Sequence, residues 1–149
     1  MLRKKSGDAH NSVQSTMVHP LKPVFSFNDL LQVIIGASVL AVPVGFTEET
    51  WELGSSLPLL NVTGILLLTI FFISMFTYFH YHRTTEREHL NEFIKRVGLT
   101  YIFAFAVVAL ILTLIQRAPW TTDFSLALQR VIIITFPSSL SGAIADTFR

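Results

Sequence analysis

Residues 57–79 run for 23 positions without a charged side chain. A helix needs about 20 predominantly apolar residues to cross a hydrocarbon core of roughly 30 Å. Three further apolar stretches accompany this one, at residues 30–46, 97–115 and 124–145. Apolar residues run continuously instead of alternating, which is a poor match to the strands of a membrane barrel. The pattern predicts an all-α membrane protein with four transmembrane helices in a small bundle. A soluble fold with buried core helices would rarely need so long an uncharged run.

Composition agrees. Hydrophobic residues make up 51% of the 149, and charged residues only 14%, against roughly 25% in soluble domains. A net charge of +1 gives no basic face for nucleic acid. The chain has no cysteine, which excludes disulfides, thiolate metal sites and cysteine nucleophiles. Residues 1–26 are polar and read as a disordered cytoplasmic tail ending near Pro20 and Pro23. No apolar core follows the basic start directly, as a secretory signal would require. Residues 27–149 form the transmembrane domain.

The basic residues are unevenly placed. Arg3, Lys4, Lys5, Lys22, Arg83, Arg87, Lys95, Arg96 and Arg149 fall on one side of the spans, and only Arg117 and Arg130 on the other. The positive-inside rule then puts both termini and the loop between spans two and three in the cytoplasm. Trp51, Tyr101 and Trp120 stand near span ends, where aromatic belts form.

Three segments, FNDLLQVIIGASVLAVPVGFTEETWELG, LILTLIQRAPWTTD and LQRVIIITFPSSLSGAIADTF, resemble a family of small prokaryotic integral membrane proteins, domain of unknown function 2391. The likeness covers most of the chain after Phe25. It is most specific in the first and last segments, the middle spans being generic apolar helix. The resemblance implies a multi-pass protein of a bacterial or archaeal plasma membrane. It implies no particular activity, so no functional residue carries over.

Several groups strain a simple anchor reading. Gly36, Pro43 and Gly45 interrupt the first span, and Pro137 the fourth. Each proline removes a backbone donor and frees the carbonyl four residues before it. Asp29, Gln32, Gly36, Pro43 and Thr47 fall along one helical face. That face reads as a helix–helix seam of small and polar residues, or as a water- or ion-lined surface. Ser138, Gly142 and Asp146 are four apart in the fourth span, with Ser141 and Ala145 a second small pair. They suit close approach of another helix. LQVII at 31–35 echoes LQRVII at 128–133, as paired interrupted helices do in some transporters. Chance matching of common membrane residues accounts for the echo more simply.

Arg130 lies inside the fourth span, and a charge there needs a partner. Glu48 and Glu49 should sit at a similar depth on the outer side, so an Arg130–Glu48 or Arg130–Glu49 ion pair is expected. Glu48, Glu49, Glu52 and Asp123 form an outer acidic group. It is read either as a solvated loop or as a cation-concentrating mouth whose carboxylates, set at a helix C-terminus, need compensation. His82, Glu86 and His89 share helical spacing. They read as a solvated amphipathic helix at anionic headgroups more than as a metal site, and no metal is expected.

Enzyme signals are missing: there is no phosphate loop, no His-Glu-x-x-His, and no histidine in the span of Ser138, Ser139 and Ser141. The expectation is no enzyme and no cofactor. Two functions stay open. One is passage of ions or a small solute through a homo-oligomer, since four helices leave little room for a pathway. The other is a non-transport accessory or assembly subunit that binds other membrane proteins. The partners expected are the bilayer and either further copies or another membrane protein.

Overall fold

A computed structural model describes residues 26–81 and 90–147. The tail before Ser26 and the His82, Glu86 and His89 group lie outside the described residues. The rest is helix joined by short turns: α1 (Phe27–Gly45), α2 (Glu48–Ser56), α3 (Leu59–Tyr81), α4 (Leu90–Leu114) and α5 (Phe124–Thr147). Four of them, α1, α3, α4 and α5, are long and apolar enough to cross a membrane.

The spans stand where the apolar stretches predict them, with two differences. Helix α4 begins at Leu90, seven residues before the predicted start at 97. Its first two turns carry Asn91, Glu92, Lys95 and Arg96, so it continues beyond the hydrocarbon-length segment. Helix α2 replaces part of a predicted loop. It is nine residues long, too short and too polar to cross anything.

Helix α5 is the hub, packing against α1, α2, α3 and α4. In its apolar window 56% of residues are buried, against 17% in α3. The closest seam joins α1 to α5. A Cβ added to Gly36 would lie 2.5 Å from Ala145 Cβ and 2.8 Å from the Ser141 carbonyl. One added to Gly142 would lie 3.0 Å from the Val33 carbonyl. Small residues let two backbones meet where lipid supplies no hydrophobic push. The buried residues of α1 are Asp29, Val33, Gly36, Ala37, Ala41 and Gly45, of which Gly45 faces Ile111 and Leu112 of α4. The polar face predicted through Pro43 and Thr47 drifts off the seam, because both residues are exposed.

Pro43 and Pro137 both lie inside their helices. The helical assignment runs through them, so each predicted interruption is a lost backbone bond within a continuing helix. Serine and threonine hydroxyls bond back onto their own helices: Ser38 donates to Ile34 O, Thr135 to Val131 O and Ser138 to Ile134 O, each at 2.7–2.8 Å. Such back-bonding satisfies hydroxyls without a partner helix. Helix α4 ends in a left-handed turn at Gln116, φ 59°. There Gln116 N–H donates to Thr113 O and Arg117 N–H to Leu112 O, the pairing of a Schellman cap.

Candidate functional site

Polar chemistry gathers at the two ends of the bundle. At the α2 end, Thr47 stands at the N-cap position of the short helix without a side-chain capping bond, sharing a 2.6 Å hydroxyl contact with Thr50 and donating to Val44 O at 2.8 Å. Trp51 Nε1 donates to Gly45 O at 2.8 Å, folding α2 back against the end of α1. The Arg117 guanidinium lies 3.8 Å from the centre of the Trp51 ring, a cation–π contact. Arg130 reaches the same knot, donating from Nε to Trp51 O at 3.3 Å and from Nη1 to Arg117 O at 2.9 Å.

Arg130 therefore finds a partner, but a different one from the carboxylates predicted. Glu48 and Glu49 are exposed and occupy the first turn of α2, whereas Arg130 lies against Gly54 near its other end. A Cβ on Gly54 would collide with the Arg130 side chain, so the missing side chain opens the slot that its stem fills. Six residues of helix separate Glu48 from Gly54, about 9 Å of rise, and backbone carbonyls stand closer to the guanidinium. The helix-dipole argument for Glu48 and Glu49 reverses as well. They sit at an N-terminus, where the dipole favours negative charge, and need no compensating cation. Asp123 is occupied too: its Oδ1 accepts the Leu126 N–H at 2.9 Å, capping α5.

At the opposite end, Arg96 of α4 donates from Nε at 3.1 Å and from Nη2 to Oδ2 of Asp146 in α5. Arg96, expected among headgroups, and Asp146, expected on a polar face, are joined here by a contact that local spacing does not predict. Asp146 Oδ1 is buried and has no hydrogen-bond partner among the described residues, as are Gln32 Oε1 and Tyr101 Oη. Asp29 is buried at the same end of the α1–α5 seam and accepts the Ser26 N–H at 3.1 Å. Of the predicted polar face, Asp29, Gln32 and Asp146 share this end. Ser138 stands two turns up α5, and Thr47 belongs to the α2 end.

Between the ends lies an apolar layer. Ala41, Val108, Leu112, Ala127, Val131 and Ile134 are fully buried and form one cluster. On α5 the whole stretch Val131–Ile134, separating Arg130 from Thr135, is buried and apolar.

A family model described as "Putative integral membrane protein (DUF2391)" matches residues 1–147. Among curated proteins the chain is similar to the heme A synthases of Rhizobium johnstonii and Rhizobium etli. Both are 28% identical over 116 residues, covering 76% of this chain and 28% of the relative. The chain thus spans little more than a quarter of the length of those relatives. No solved structure matches it.

Proposed function

The chain belongs to the integral membrane protein family DUF2391, and on that footing we propose that it is a non-transport accessory or assembly subunit, binding other proteins within the plasma membrane. The observation that carries this reading is the apolar layer of Ala41, Val108, Leu112, Val131 and Ile134. An ion moving through one copy would meet only apolar side chains across this cluster among the described residues, at a cost of many kcal/mol. The hydroxyls nearest this layer in α5 already bond to their own backbone.

The surface supports the same reading. Helix α3 leaves Leu67, Phe71, Met75 and Tyr78 exposed, a broad apolar flank open to lipid or to another membrane helix. Charge asymmetry supports an orientation with the Arg96–Asp146 end in the cytoplasm and the α2 end outside. The reading includes no catalysis. Ser138 and Ser139 donate to helix carbonyls, and neither hydroxyl bonds to a histidine or carboxylate among the described residues.

Purification in mild detergent, followed by reconstitution, tests the proposal. An unrelated membrane protein should co-purify in fixed ratio, and the pure protein should pass no ions in proteoliposomes. Flux that falls when Glu48, Glu49 and Asp146 are neutralised would instead establish passage between copies of a homo-oligomer.

A further inference from the structure

Arg117 and Arg130 crowd around one tryptophan. Arg130 donates from Nε to Trp51 O at 3.3 Å and from Nη1 to Arg117 O at 2.9 Å. The Arg117 guanidinium lies 3.8 Å from the centre of the Trp51 ring. Every partner in this knot is neutral: two carbonyls and one π face. Neither guanidinium forms an ion pair with a carboxylate among the described residues. The Asp123 charge reaches Arg130, but the carboxylate stays outside ion-pair distance and gives Oδ1 to the α5 cap. The two like charges meanwhile repel one another.

Arg130 lies six residues into α5, about 9 Å of rise from its start, and is only partly exposed. A cation at that depth is poorly screened and draws a counter-charge. Donors are left to receive one. Nη2 of Arg130 and the whole fork of Arg117 carry no hydrogen bond among the described residues. We propose that Arg117 and Arg130 together hold a phosphate ester at headgroup level. Its several oxygens can serve two guanidinium forks at once. Trp51 and Trp120 mark that level, as interfacial tryptophans do. A phospholipid such as phosphatidylglycerol supplies the group there, with no ammonium of its own to offset it. Exposed Leu53, Leu114 and Phe124, on the three helices joined at this knot, offer apolar surface to acyl chains. A water-borne phosphate would use the same donors.

The test uses the full chain, purified and delipidated in detergent. It is offered phosphatidylglycerol or diglucosyldiacylglycerol, which has the same kind of tails and no phosphate. Native mass spectrometry reads bound lipid, and the melting temperature is followed beside it. Phosphatidylglycerol should be held about tenfold more tightly, the scale of one charge-assisted hydrogen bond. Arg117→Gln and Arg130→Gln should each remove most of that preference. Lys95→Gln, an exposed position at the other end of the bundle, controls for general attraction and should leave it intact. If Arg130→Gln does not fold, Arg117→Gln at its exposed turn decides alone. Inorganic phosphate forms a separate arm. A melting shift that it reproduces, and that the same variants abolish, keeps the phosphate site and assigns its occupant to the aqueous side. Equal retention of the two lipids, with no response to inorganic phosphate, overturns the proposal. So does a preference that Arg117→Gln leaves untouched, or that Lys95→Gln reduces as much.

Discussion

Gly36 of α1 and Ala145 of α5 stand back to back, so close that a Cβ on the glycine would come within 2.5 Å of the alanine's. Backbone lies behind the methyl, at the Ser141 carbonyl and Gly142 Cα. The helices must therefore separate if the glycine acquires a side chain. Gly36→Ala should cost about 1–3 kcal/mol, the range for overpacking, and Gly36→Val more. Gly142→Ala should act in the same direction. Thermal denaturation in detergent measures both. Stability unchanged by Gly36→Val would mean that the seam is looser than described.

The Arg96–Asp146 contact predicts strong non-additivity. Removing one member leaves the other charge largely buried, which costs about 3 kcal/mol or somewhat less here, because Arg96 is partly exposed. Arg96→Met and Asp146→Leu should each destabilise by that order. The double variant should recover much of the loss. A double-mutant cycle in detergent reads the coupling directly, and strictly additive effects would deny the pair.

At the α2 end, charge should matter less than position. Glu48→Gln and Glu49→Gln should each change stability by no more than about 0.5 kcal/mol, as exposed residues usually do. Arg130→Ala should cost more than either, because it abandons two carbonyls and the slot over Gly54. Melting temperatures of the three variants suffice, and equal effects would restore a carboxylate partner for Arg130.

Two local features give small shifts of opposite sign. Asp123→Ala removes the α5 cap and should destabilise by about 1 kcal/mol. Gln116→Gly should stabilise by roughly 0.5 kcal/mol, since the left-handed turn at Gln116 suits glycine best. Denaturation curves of the two variants against the parent check both signs.

The four spans were legible in the sequence because hydrocarbon imposes a length and a composition that a single chain displays. The seam was partly legible, in the four-residue spacing of Ser138, Gly142 and Asp146. What it packs against was not, since α1 and α5 lie about a hundred residues apart in the chain. Arg96 and Asp146 meet across 50 residues, and no local periodicity announces such a pair. Glu48 and Glu49 follow the first apolar stretch directly in sequence, whereas the chain turns at Phe46 and starts a new helix at Glu48. A new helix that begins at Glu48, just past the turn, reverses the sign of the dipole they feel. The early start of α4 leaves no hydropathy signal, because polar residues outside the hydrocarbon can still be helical.

The account rests on a lipid-embedded bundle whose α2 end faces outward and whose Arg96–Asp146 end faces the cytoplasm. The chain has no cysteine, so single replacements can be labelled without background. Ser55→Cys in α2 should react with a membrane-impermeant maleimide on intact cells, and Asn91→Cys in α4 only after the membrane is opened. Labelling of Asn91→Cys on intact cells, with Ser55→Cys protected until lysis, would contradict the orientation, and equal labelling of both on intact cells would contradict the spans themselves.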